Sequence, residues 1–293
     1  MIIAKLIGGL GNQLFQYAAA RRLSLLHRTT LKLDISHFDH YKLHAYALKH
    51  FSIQEKFARP EEIAELKGSM KKGLAKTVFD MSQKLKPYYR RSIFREPHLR
   101  PFDLNILKTP RDVYLDGYWQ SEKYFAPIQD VIRREFIVKY EPDPKTLEIA
   151  ERIAKTESVS VHVRRGDYIS IPEHNLVHGT CRLEYYDRCV SLIREKVTNP
   201  YFFVFSDDPR WVKGNLRFGY PTTFVTHNDS SKNYEDLRLM SRCKHNIIAN
   251  SSFSWWGAWL NANPNKIVLA PSQWFNQFSA DTRDLLPDSW IKV

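Results

Sequence analysis

No stretch of eighteen consecutive apolar residues occurs in this 293-residue sequence, which excludes an ordinary membrane-spanning helix. The opening MIIAKLIGG is too short and too soon interrupted for a secretory signal, and reads as a first buried strand. Cysteine is scarce. Cys181, Cys189 and Cys243 are an odd number without metal-ligand spacing, so free thiols in a reducing cytosol are expected rather than a disulfide framework. Internal repeats and low-complexity tracts are absent. Acids are under-represented, 32 against 44 basic residues, and the resulting +12 calls for an anionic partner: nucleic acid, a membrane surface or an acidic small molecule. A chain that is 43% hydrophobic and 13% aromatic is neither disordered nor fibrous, and its length suits two domains.

The second half alternates in type. Strand-like runs lie at 158–163, 201–205, 222–226, 246–249 and 266–270, with helical patterns at 184–197, 234–243 and 254–261 between several of them. That alternation predicts an α/β fold with a parallel sheet. The first half is less regular, with strands at 2–7, 31–35 and 113–118 and helices at 12–26 and 122–136. Glu141-Pro142-Asp143-Pro144 suits a linker, dividing the chain into 1–143 and 144–293.

Four constellations can carry chemistry, and three of them end predicted strands, where ligands bind in open α/β sheets. The first is Gly8-Gly9-Leu10-Gly11-Asn12, a strand-to-helix turn whose glycines admit a ligand close to the backbone. Leu14 stands where a dinucleotide fingerprint needs a third glycine, and a plain tight turn would read the same way. The second is SVSVHVRRGDY, residues 158–168. Val159, Val161 and Val163 alternate with Ser160 and His162 before Arg164-Arg165-Gly166-Asp167. Two guanidinium groups at a strand mouth suit an anion with several oxygens, although a surface ion pair of Arg165 with Asp167 is the plain alternative. The third is FVFSDD, ending at Asp207 and Asp208. It is either a metal site of the diphosphate-chelating kind or, as adjacent rather than alternate acids favour, a helix cap by Asp208 beside a ligand contact by Asp207. The fourth is Asn250-Ser251-Ser252-Phe253-Ser254, a turn opening a helix that suits a phosphate and is also satisfied by N-capping from Ser252 or Ser254. Trp255 and Trp259, four apart on one face, are expected to be core.

No Walker sequence is present, so phosphoryl transfer from ATP is not expected and a nucleoside diphosphate as donor or leaving group remains. At this point the sequence resembles bacterial α-1,2-fucosyltransferases of glycosyltransferase family eleven. The segments GGLGNQLFQYAAARRLS, LDGYWQSEKYF (residues 115–125), HVRRGDY, FVFSDD and NSSFSWWGAWLN carry the resemblance in matching order over nearly the whole chain. It implies a GT-B fold of two facing Rossmann-like domains, the first on the acceptor side and the second binding the donor. It also implies transfer of L-fucose from GDP-β-L-fucose to the 2-hydroxyl of a terminal galactose, with inversion and without cofactor or metal. By the same resemblance Arg164 holds the β-phosphate, His162 lies near the ribose or guanine, and Asn250, Ser251, Ser252 and Phe253 meet the phosphates. Gly11 and Asn12 approach the pyrophosphate and fucose, with Asp207 toward the nucleoside. Asp167, Asp116 and Asp34 are the candidates for a base, none singled out. Tyr118, Trp119 and Gln120 lie on the acceptor side, where the aromatic rings either stack on a sugar or pack in the core.

From Lys67 to Arg100 there are ten Lys/Arg and two acids, Asp80 and Glu96, with Tyr88, Tyr89 and Phe94 interleaved. This stretch reads either as a segment lying on anionic lipid, consistent with surface-polysaccharide assembly by a cytosolic enzyme at the inner face of a membrane, or as a solvated helix face. A basic nucleic-acid-binding protein is the competing reading of the charge. It lacks a recognition module, and the small turns at strand ends suit one small anion better. A non-catalytic lipid- or glycan-binding module is a third reading, and Arg165-Gly166-Asp167 as an adhesion signal is not expected in a cytosolic chain.

Overall fold

The computed structural model describes residues 1–41, 43–96, 101–276 and 281–293. The chain divides into two compact units, Met1–Ile137 with Asp281–Leu285, and Val138–Ala280 with Leu286–Val293. The segment expected as a linker is in part a helix start: Asp143 caps the helix that opens at Pro144, accepting from the Thr146 N–H at 2.9 Å.

Unit 1 contains β1 (Ile2–Lys5), α1 (Leu10–Leu26), β2 (Leu31–Asp34), α2 (Pro60–Lys67), α3 (Gly73–Leu85), β3 (Ile93–Arg95), β4 (Val113–Asp116) and α4 (Gln129–Glu135). Its four strands are parallel in the order β2-β1-β4-β3. Helix α1 is buried on most of its circumference, because its second face is covered too. Tyr17 donates to Glu135 Oε2 at 2.6 Å and Arg21 pairs with Glu135 at 2.9 Å, tying α1 to α4. The helix expected over 122–136 is two short 3-10 turns followed by α4; Pro127, which has no N–H to donate, lies within the second turn.

Unit 2 contains α5 (Pro144–Ala154), β5 (Glu157–Val163), α6 (Gly166–Ser170), α7 (Pro172–His178), α8 (Leu183–Lys196), β6 (Pro200–Ser206), α9 (Pro209–Asn215), β7 (Thr222–Val225), α10 (Asn233–Arg242), β8 (His245–Ile247), α11 (Ser252–Leu260), β9 (Val268–Ala270) and β10 (Ile291–Lys292). The six strands are parallel in the order β10-β9-β8-β5-β6-β7. Both faces of β5 are buried, as expected inside a parallel sheet. Val159, Val161 and Val163 share a core with Tyr186, Cys189 and Ile193 of α8. The two alternate serines are bonded: Asn246 Nδ2 donates to Ser160 Oγ at 2.7 Å, and the Lys244 N–H to Ser158 Oγ at 3.0 Å. Trp255, Trp256 and Trp259 are buried, and Gly257 lets α11 approach α10 so closely that a Cβ there would lie 2.9 Å from Met240 Cβ. The three cysteines are free thiols. Among the described residues no helix is long and apolar enough to cross a membrane.

Candidate functional site

In unit 2 the strand order reverses at β5. The chain passes from β5 to β6 and β7 on one side and places β8, β9 and β10 on the other. The crevice at the C-terminal ends of β5 and β8 is therefore the topological switch point, where open α/β sheets bind ligands. The Arg164–Asp167 turn stands at one of these ends and the Asn250–Ser252 turn at the other. The Tyr168 hydroxyl joins them by donating to the Asn250 carbonyl at 3.4 Å.

Arg164 is held from two sides. Its Nη1 lies 2.8 Å from Asp207 Oδ2 at the end of β6, and its Nη2 pairs with Asp167. The guanidinium also lies over the Tyr168 ring, 5.2 Å from its centroid. Asp207 Oδ1 accepts from the Arg165 N–H at 2.8 Å, so one carboxylate fixes both the side chain and the turn that carries it. Gly166 is required by this arrangement, since a Cβ there would lie 2.6 Å from Asp207 Oδ2. Asp167 has a second partner in His174 Nδ1 at 3.0 Å. Arg165 pairs with Asp208 at 3.2 Å and lies 3.9 Å over Trp211. Asp208 also caps α9, accepting from the Trp211 N–H at 3.1 Å. Arg165 therefore pairs with Asp208 rather than with Asp167, and Asp207 faces the arginines.

His162, at the end of β5, is buried, and its Nδ1 has no hydrogen-bond partner among the described residues. Burial, with Arg164 next in effect, pushes its pKa down to about 3, so the ring is neutral at physiological pH. Its ring centroid lies 5.6 Å from that of Phe253 in the first turn of α11. The cap of α11 is Ser251, whose Oγ accepts from the Phe253 N–H at 3.4 Å; neither Ser252 nor Ser254 fills that position. Ser254 is buried, while Ser252 and Phe253 are half-buried. Asn250 holds the scaffold: its Nδ2 reaches the carbonyls of His178 at 2.8 Å, Trp274 at 3.2 Å and Gly179 at 3.3 Å.

In unit 1 the corresponding crevice lies at the ends of β1 and β4. The glycine turn after β1 is pinned by two buried glutamines that sequence reading passed over. Gln13 Nε2 donates to the Gly8 and Ala45 carbonyls at 2.9 Å, and Gln16 Oε1 accepts from the Ile7 N–H at 2.9 Å. Gly8 has φ +74°, and a Cβ there would meet Asn12 Nδ2 at 2.7 Å. Asn12 Oδ1 accepts from Gln120 Nε2 at 2.8 Å, which bridges the two turns; Gly11, beside Asn12, is buried in α1. Trp119 is 1% exposed and packs against Phe94 and Tyr124, so it is core and offers no face to a sugar. Tyr118 is 36% exposed and remains accessible.

The expected bases are all engaged. Asp34 accepts from the Tyr114 hydroxyl at 2.6 Å and from Ser36; burial acts to raise its pKa, but these bonds outweigh it and the net shift is downward. Asp116 pairs with Lys5 at 2.9 Å and Arg95 at 3.5 Å. A carboxyl absent from those expectations is Glu96, immediately after β3. Its Oε2 accepts from the backbone N–H groups of Tyr118 at 2.6 Å and Trp119 at 2.8 Å, and burial pushes its pKa up to about 7 against those two bonds. The only signal for it was its place after the short run Ile93-Phe94-Arg95, which shows no alternation strong enough to mark a strand.

Two parallel-sheet units with ligand crevices at their strand ends are the architecture of GT-B glycosyltransferases, and the chain belongs to glycosyl transferase family 11, whose model matches residues 1–293. An Escherichia coli α-1,2-colitosyltransferase is 33% identical over all of this chain and 99% of its own length. Human galactoside α-(1,2)-fucosyltransferase 1 is 25% identical over 69% of this chain and 59% of its own. Among solved structures, a single-substitution variant of Arabidopsis thaliana FUT1 in complex with GDP superposes with a TM-score of 0.51, at 11% identity, over 99% of this chain and 75% of that one; it shows the fold.

The neutral, buried His162 has a consequence for acid stability. The unfolded chain takes up a proton near pH 6.5 that the folded form refuses until about pH 3, so this residue's contribution is intact above about pH 6.5 and is lost as pH falls below it. His162→Gln is expected to lose less denaturant midpoint than the parent between about pH 6.5 and about pH 4. Equal losses in the two proteins would show that the ring is not held neutral.

Proposed function

We propose that this glycosyltransferase moves L-fucose from GDP-β-L-fucose to the 2-hydroxyl of a terminal galactose, with inversion at the anomeric carbon and without a metal ion. Unit 2 takes the nucleotide and unit 1 the acceptor glycan. The observation that carries this reading is the fixed Arg164 at the switch point, with the start of α11 across the crevice. Breaking the fucosyl–oxygen bond leaves negative charge on the β-phosphate. A guanidinium already positioned there stabilises that charge as it develops, with no reorganisation at the moment of reaction. The carboxylates of Asp207 and Asp208 are turned to arginines, which supports a cationic side chain rather than a metal as the stabilising charge.

The full-length likeness to a colitosyltransferase favours a second donor. Colitose is L-fucose without its 3-hydroxyl, so leaving group and linkage are unchanged, and only a contact to that hydroxyl separates the two sugars. A screen of GDP-fucose and GDP-colitose against galactose-terminated acceptors, with and without EDTA, tests donor, acceptor and metal together. Fucosyl transfer undiminished by EDTA is the expected result, and transfer of colitose alone would replace the donor. Arg164→Ala is expected to lower turnover by about 10²–10³ with its melting temperature kept; turnover at the parental rate would remove Arg164 from the site.

We also propose that unit 1 rests on an anionic bilayer through α3. Leu74, Val78, Met81 and Leu85 fall on one face of this helix at exposures of 80%, 58%, 58% and 85%. Lys71, Lys72, Lys84 and Lys86 flank the stripe, and residues 67–95 hold nine Lys/Arg against one acid, Asp80. Beside α3 a cavity of about 270 Å³ is lined by Lys67, Arg91 and Arg95 together with Asp80, Phe79, Tyr88 and Ile93, three cations against one acid. Residues 97–100, the end of the basic run, lie outside the described residues. Replacing the four flanking lysines by glutamate, or Leu74 and Leu85 by serine, is expected to reduce co-sedimentation with phosphatidylglycerol vesicles. Unchanged partition in both variants, or a stripe that instead dimerises the protein without vesicle binding, would overturn the contact.

A further inference from the structure

The expected carboxylates of both units already carry cationic or hydroxyl partners, which leaves the question of where the acceptor proton goes. Glu96 differs from them in each relevant respect. It leaves β3 at the C-terminal edge of the unit 1 sheet, with its own N–H donating to the Asp116 carbonyl at 3.0 Å. Gly117 packs so closely against it that a Cβ on that residue would lie 2.4 Å from Glu96 Cβ. The Tyr118 and Trp119 N–H groups both aim at Oε2. Oε1 has no partner among the described residues. The next residue, Gln120, bonds Asn12, so the Glu96 carboxyl and the Asn12–Gln120 bridge hold adjacent positions of one loop.

We propose that Glu96 is the catalytic base, taking the proton of the acceptor hydroxyl on Oε1 while two backbone N–H groups hold Oε2. The inference rests on the transferase reading given above. As the acceptor oxygen attacks the anomeric carbon, the bond from that carbon to the phosphate oxygen breaks and its electron pair leaves with GDP. The hydroxyl proton passes to Glu96, which later releases it to solvent. Among the described residues no cation helps to hold the carboxylate ionised; the Tyr118 and Tyr124 hydroxyls feel its charge, while Lys5 and Arg95 are turned to Asp116. Burial poises the group near neutrality, where a base is most effective.

Glu96→Gln separates the chemistry from the architecture. Its carbonyl oxygen still accepts both N–H bonds, but the amide takes no proton. The expected result is a fall in kcat of about 10²–10⁴ with GDP affinity by calorimetry unchanged, and loss of the rise in rate that the parent shows as pH climbs through about 7. Glu96→Asp is expected to recover part of the rate and to keep a pH-dependent limb. A folded Glu96→Gln protein with the parent's rate and pH profile would overturn the base while leaving the transferase reading intact. A parent protein that transfers neither fucose nor colitose would overturn both.

Discussion

The pairing of Arg164 with Asp207 is the interaction on which the rest of the unit 2 crevice depends. It joins the ends of β5 and β6, adjacent strands whose register sets Val163 beside Ser206. Asp207 supports the Arg165 backbone as well, so the same carboxylate that orients the guanidinium also sets the path of the turn. The arrangement has a cost that composition conceals. Two arginines here face three aspartates, so the mouth of β5 is not a simple trap for anions despite the chain's excess of positive charge. On the proposed reading a diphosphate at Arg164 would compete with Asp167, which keeps a second partner in His174. Position therefore matters more than local net charge: the carboxylates hold the guanidinium ready, and the start of α11 adds N–H donors without adding charge.

Unit 1 solves a different problem with neutral groups. Its glycine turn leaves backbone groups without ladder partners, and Gln13 and Gln16 supply the missing hydrogen bonds from within α1. Backbone groups buried without such partners would destabilise the turn. The loop after β4 is fixed from the other side by Glu96 and Gln120. Both crevices are thus shaped by side chains reaching back to main chain, and the groups proposed for chemistry stand on these rigid turns.

Strands β5 to β9 and helices α8, α10 and α11 of unit 2 were legible in the sequence because apolar runs and helical spacing are local signals, whereas α5, α6, α7 and the two-residue β10 were not marked. The switch point could be located from them once the strand order was known. Less legible was whatever depends on pairing across strands. Ser160 and His162 alternate with the valines, and only the sheet shows Ser160 bonded to Asn246 and His162 packed against Phe253. Trp119 lies in an acceptor-side motif and yet is core, since a positive φ turns it inward against Phe94. Asn250 sits in a phosphate-like turn and yet spans three carbonyls. Glu96 carries no motif at all, because what distinguishes it is two N–H groups more than twenty residues away in sequence.

The claim that Asp207 serves the site by holding Arg164 is tested most directly by GDP calorimetry on the Arg164→Ala, Asp207→Asn and doubly substituted proteins. Asp207→Asn is expected to weaken GDP binding in the parent and to change it little once Arg164 is gone, the coupling that a shared role requires. Tighter binding after Asp207→Asn, or the same change in both backgrounds, would mean that the carboxylate only screens the crevice and that the arginine is positioned by something else.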